Sequence, residues 1–141
     1  MRTRRWLRPG GRLLVHVFCH REYACALAPD GPADWTGRHV LTAGIMPADG
    51  LILRFQDRLR CVGHWRWNGR HCEAAANAWL ANLDRSRQSL MAVPDETCGP
   101  DAERGCQRWR VFFTACAELF GFRGGQEWWV VHHLLEKPEH G

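Results

Sequence analysis

With 141 residues the chain has room for one domain, and 45% apolar and 24% charged residues is ordinary globular composition that excludes wholesale disorder. The net charge is +4, with Lys137 the only lysine, and the one basic cluster (Arg2, Arg4, Arg5, Arg8 and Arg12) reads as a solvated terminus, so no nucleic-acid partner is expected. No apolar run approaches the ~20 residues of a membrane-spanning helix, and the turn at Pro9-Gly10-Gly11 falls where a secretory signal would be apolar, so a cytoplasmic protein without an integral membrane segment is expected.

After that turn, Arg12-Leu13-Leu14-Val15-His16-Val17-Phe18 predicts a strand buried on both faces, with His16 its one polar residue inside. Asp30-Gly31-Pro32 marks a loop, and residues 35–44 carry no clear period. A helix is expected to start at Met46-Pro47-Ala48-Asp49 and to carry Leu51, Ile52 and Phe55, with Asp49 the available capping residue. Residues 60–67 alternate, which predicts a strand with Cys61, Gly63, Trp65 and Trp67 on one side and Arg60, His64 and Arg66 on the other. Asn68-Gly69 would suit a hairpin, but Cys72, Ala76, Trp79, Leu80 and Leu83 follow at helical spacing, so strand, turn and helix are predicted. Breakers from Pro94 to Pro100 end that helix.

A second helix is expected over residues 102–120. Cys106, Trp109, Phe113, Cys116 and Phe120 lie on one face, and Phe112, Ala115 and Leu119 on the next; so wide an apolar arc means burial on two sides or a greasy pocket. Residues 127–135, rich in Trp and Val, predict a last strand. Seven cysteines without a CxxC pair read as reduced thiols, and the eight histidines lack zinc-site spacing, so no metal is expected. An α/β chain that opens on a buried strand leaves that strand's outer edge bare.

The words along the chain are specific. They include Leu7-Arg8-Pro9-Gly10-Gly11-Arg12-Leu13-Leu14-Val15-His16, Asp34-Trp35, Thr42-Ala43-Gly44-Ile45-Met46-Pro47, His64-Trp65-Arg66-Trp67-Asn68-Gly69-Arg70-His71, Trp109-Arg110-Val111-Phe112-Phe113 and Gly125-Gln126-Glu127-Trp128-Trp129. This series resembles the C-terminal half of S-adenosylmethionine-dependent methyltransferases of the cyclopropane-fatty-acyl-phospholipid synthase family, in the branch with the plant coclaurine N-methyltransferases. The likeness runs from Trp6 onward, leaving residues 1–5 as a basic tail and 6–141 as the acceptor-side part of a methyltransferase domain.

The resemblance implies a partial class I, Rossmann-like α/β fold: a three-stranded mixed sheet matching family strands 5, 7 and 6, with helices, and without the cofactor-binding half. S-adenosylmethionine is the family cofactor, but neither Gly10-Gly11 nor Gly124-Gly125 follows a strand as a cofactor loop must, so no cofactor-binding residue is assigned. His16 matches a catalytic histidine that, in the lipid enzymes, helps hold a bicarbonate base; a core histidine bonded to backbone is the competing reading. Cys72 stands where those enzymes carry a tyrosine. A thiol is the poorer donor, which favours an amine over a lipid acceptor and weakens the bicarbonate route. Phe18, Cys72, Trp109, Phe112 and Phe113 are the substrate-binding candidates, an aromatic wall suiting an ammonium group, against plain core packing. The fragment is expected to be inert alone, with a separate N-terminal half or self-association through the bare edge as possible partners. The alternative is a non-catalytic binding module using the aromatic pocket or that edge.

Overall fold

A computed structural model describes residues 3–27, 44–91 and 102–139. The loop at Asp30-Gly31-Pro32, most of the 35–44 stretch and the breakers from Pro94 to Pro100 lie outside the described residues. So do the words Asp34-Trp35 and Thr42-Ala43.

The chain runs β1 (Arg12–His20), β2 (Cys25–Ala26), β3 (Ile45–Met46), a 3-10 turn (Ile52–Arg54), β4 (Arg60–Trp67), α1 (Arg70–Arg85), α2 (Arg87–Met91), α3 (Ala102–Gly125) and β5 (Trp128–Glu136). The main sheet has the order β1-β5-β4, with β5 antiparallel to both neighbours. The last strand therefore lies between the first and the fourth, which run parallel to each other. This is the arrangement expected for strands 5, 7 and 6. Among the described residues the outer edge of β1 is paired only at His20, through a parallel bridge to Ala48.

Two expectations fail on β1 and on the segment after β3. First, β1 is not buried on both faces: Leu14 is 57% and Phe18 45% exposed, while Leu13, Val15 and Val17 are half-buried and Cys19 is fully buried. The strand is covered on one side only. Second, no helix starts at Met46. The backbone N–H of His20 donates to Pro47 O (3.0 Å) and that of Asp49 to His20 O (2.9 Å), so these residues are drawn out against the strand and only a short 3-10 turn follows. That turn has no side-chain cap, and Asp49 is used elsewhere.

A register shift between Cys61 and Gly63 bulges β4 at Val62. The extra residue changes the phase of the alternation. Cys61 thus shares a face with His64 and Arg66, not with Gly63, Trp65 and Trp67, and Arg60 moves to the tryptophan side; the sequence alternation placed both the other way.

At the far end of β4, Asn68-Gly69 turns the chain into α1. The Asn68 side chain accepts from Arg70 N–H (2.8 Å) and donates to Gly124 O (3.3 Å), and Gly69 N–H donates to Gly125 O (3.0 Å). A Cβ on Gly69 would stand 2.2 Å from Trp128 O and 2.3 Å from Phe120 O, so this close approach needs glycine. Helix α3 leaves helical geometry at Phe122, Arg123 and Gly124, and Gly124 and Gly125 have φ of 69° and 77°. Those left-handed residues end the helix and feed β5. Helices α1 and α3 pack side by side as a hairpin, with the Arg110–Asp84 ion pair across them.

Candidate functional site

Residue alternation gives the sheet two unlike faces. One carries Val17, Cys19, Trp129 and Val131, the buried apolar cluster. On this face Asp49, only 4% exposed, takes hydrogen bonds from Arg66 (Nε 3.1 Å and Nη2 2.7 Å) and from the indole of Trp129 (3.1 Å), and His64 Nε2 lies 3.3 Å away. Burial opposes its charge, yet the hydrogen bonds of Arg66 and Trp129 and the nearby His64 outweigh burial and hold the carboxyl below its ordinary range. The His133 ring stacks on His64 at 4.6 Å, and its Nδ1 is buried without a hydrogen-bond partner among the described residues. Burial and then His64 push the His133 pKa down. Burial, with the charge of Asp49, pushes the Cys19 thiol up to about 12, so it is inert. This polar cluster was not foreseen: Asp49 read as a helix cap.

The opposite face carries Leu14, His16 and Phe18 from β1, Val130 and His132 from β5, and Trp65 and Trp67 from β4. His16 is exposed, so it is not a core histidine, and it pairs with a side chain instead of backbone: its Nδ1 lies 2.8 Å from Nε2 of His132. The other nitrogen of His132, Nδ1, accepts from the indole of Trp67 at 3.1 Å. Phe18 meets Phe120 of α3 at 5.2 Å between ring centroids. At the end of β1, buried His20 accepts at Nδ1 from the N–H groups of Glu22 and Tyr23 and reaches Glu127 with Nε2 (3.1 Å), which ties down the turn.

The helix hairpin holds the other candidates. Trp109, Phe112 and Phe113 are mutual neighbours at 5.6–5.7 Å, and Trp79 of α1 joins Phe113 at 5.7 Å. They line an open groove of about 570 Å³ with Leu83, Asn82 and Ser86. A second hollow of about 490 Å³ continues past Trp109 and Phe113 to Leu90, Met91, Gly105 and Cys106. Trp109 is 53% exposed, more than a core residue should be. Cys72, near the start of α1, has its pKa raised by burial, and the Cys116 thiol, raised by its own burial, also feels Cys72. A rise of 1.5 Å per residue puts Phe113 roughly 10 Å along α3 from Phe120. The predicted residues thus form two groups, His16 with Phe18 on the sheet and Trp109, Phe112 and Phe113 in the hairpin, with Cys72 on the helix that packs against α3.

Both glycine pairs of the sequence stand ahead of strands. Gly10 precedes β1 and is bonded to Lys137 O (2.9 Å), and Gly124 and Gly125 precede β5; each pair lies at the wrong end of its strand for a cofactor loop. No cluster among the described residues has the donors for a metal ion, and no described helix is long and apolar enough to cross a membrane.

An antiparallel strand slotted between two parallel ones and preceded in the chain by a helical hairpin matches the C-terminal half of the S-adenosylmethionine-dependent methyltransferase fold. No protein-family profile matches the chain. It is 30% identical over 141 residues to (S)-coclaurine N-methyltransferase of Thalictrum flavum subsp. glaucum and 29% identical over 136 residues to that of Papaver somniferum. Among solved structures it is similar to coclaurine N-methyltransferase bound to N-methylheliamine and SAH, with a TM-score of 0.86, 29% identity and 96% of this chain covered. The cyclopropane synthase MmaA2 of Mycobacterium tuberculosis shares the fold at 18% identity and a TM-score of 0.70. The chain spans 39% of the length of each of those two curated relatives, and it corresponds to the C-terminal part of this methyltransferase branch.

Proposed function

We propose that the chain is the acceptor-binding part of an S-adenosylmethionine-dependent N-methyltransferase, acting on a small amine together with a cofactor-holding part, and that it is inert without that part. The observation that carries this reading is the aromatic groove of Trp79, Trp109, Phe112 and Phe113 in a chain similar over its length to coclaurine N-methyltransferases. Methyl transfer from a sulfonium is a displacement. It needs the amine aligned with the donor in a site that excludes water. Aromatic faces attract an ammonium group by about 0.5–2 kcal/mol, and the apolar walls take the rest of the amine.

Cys72 supports an amine over a lipid acceptor. Its half-buried thiol stays neutral and donates poorly, where the resemblance puts a tyrosine in the lipid enzymes. The cofactor-holding part would extend the sheet along the outer edge of β1, whether it comes from the same polypeptide or another. Six free cysteines among the described residues suit a reducing, cytoplasmic setting.

Calorimetry tests the reading. The isolated chain should bind coclaurine or heliamine and should not bind S-adenosylmethionine; micromolar binding of the cofactor would overturn the division of labour. Mixed with the N-terminal part of a coclaurine N-methyltransferase, it should methylate the amine and leave phospholipid untouched. The groove lies wholly within this chain, and that favours one second reading, a non-catalytic binding module. Amine binding without methylation in the mixture would select it.

A further inference from the structure

We infer that Trp67 and His132 are positioning residues that hold the His16 ring as its Nε2–H tautomer, so that His16 offers a ligand a hydrogen-bond donor and not a proton acceptor. The inference goes beyond the proposed acceptor-binding role and rests on it only for the identity of the ligand, and the relay itself stands on geometry alone.

The first link fixes all the others. An indole N–H can only donate, and that of Trp67 points at Nδ1 of His132 from 3.1 Å. His132 Nδ1 therefore keeps its lone pair, and the neutral ring carries its proton on Nε2. That nitrogen lies 2.8 Å from Nδ1 of His16. His132 donates there, and the proton of neutral His16 is left on Nε2. No protein group among the described residues partners that Nε2–H.

Sheet register builds this line. His16 and His132 are directly opposed across β1 and β5, while Trp65 opposes His132 on β4, which makes Trp67 its diagonal neighbour on the same face. The relay crosses all three strands. Packing steadies it: His71 of α1 meets the Trp67 ring edge-on at 6.2 Å, and Phe18 meets His16 edge-on at 6.1 Å.

The chemical consequence is specific. A ring whose Nδ1 is occupied and whose Nε2 is protonated cannot take the proton that an amine loses on methylation. It would instead hold an oxygen of the acceptor molecule, a phenol, phenolate or ether, by its lone pairs.

NMR of the full chain labelled with 15N-histidine tests the relay with no cofactor and no turnover. A failure to methylate therefore counts against the proposed function alone, and a failed relay against this inference alone. In the wild type, a through-hydrogen-bond 15N–15N coupling should join a pyrrole-type Nε2 of His132 to a pyridine-type Nδ1 of His16. In Trp67→Phe that coupling should vanish or reverse its donor. A wild-type spectrum with the proton on His16 Nδ1, no coupling at all, or an unchanged coupling in folded Trp67→Phe would overturn the inference. Should Trp67→Phe not fold, His132→Leu reads the first link with Trp67 in place. The indole N–H should then lose its protection from solvent exchange; retained protection would overturn the role of His132. His132→Gln, whose amide can still donate to His16, should restore the hydrogen-bonded Nδ1 shift of His16 that His132→Leu loses.

Discussion

The two faces of the sheet invert the usual assignment of polar and apolar groups. The covered face has a carboxylate at its centre, Asp49, with Arg66, Trp129 and His64 around it; the open face is spread with Leu14, Phe18, Trp65 and Trp67, each 45–57% exposed. A buried carboxylate survives because every acceptor position finds a donor. An exposed aromatic surface has no such local reason, and large apolar patches of this kind mark surfaces that meet something else. The contrast separates what holds the chain together from what it presents outward.

Substitutions should break that contrast in order of size. Gly69→Ala drives a methyl into two backbone carbonyls and should cost about 1–3 kcal/mol or more in urea unfolding. Asp49→Ala leaves the buried Trp129 indole without an acceptor and removes the charge-assisted bonds of the more exposed Arg66, and it should lower stability by about 1–3 kcal/mol by the same measurement. Acid should act through the covered face as well. His133 is held below its ordinary pKa of 6.5, so the unfolded chain takes up its proton first, and the melting temperature should fall as pH drops below about 6.5. Asp49, held below 3.8, should add a second loss as pH falls through that value, and Asp49→Asn should remove this lower step alone. On the open side, Trp109→Ala should weaken amine binding about tenfold in calorimetry while stability changes by less than about 1 kcal/mol. His16→Ala, exposed and outside the core, should shift stability by no more than about 0.5 kcal/mol. Equal losses for His16→Ala and Asp49→Ala would erase the distinction between the faces.

The strands and the hairpin were legible because their signals are local. Valine-rich runs at 12–18 and 127–135 bracket β1 and β5, and the heavy alternation of 60–67 gives β4 to the residue. The aromatic stripe of α3 likewise brought Trp109, Phe112 and Phe113 together at one groove. What escaped was non-local. Asp49 follows Met-Pro-Ala as a capping residue would, and its true partners stand 17 and 80 positions away, on strands whose approach no short window records. The bulge at Val62 leaves no glycine or proline at the extra residue, so the faces of Arg60 and Cys61 were misread. The Trp67–His132–His16 line needs the register of three strands before its members become neighbours.

One hydrogen bond, Gly69 N–H to Gly125 O, closes the base of the excursion that carries α1, α2 and α3. The polypeptide leaves the sheet and rejoins it within the width of a single peptide contact. Everything between those two glycines is a loop in the topological sense, however helical it is. Such a cassette can lengthen, shorten or change the lining of its groove while the strands keep their register.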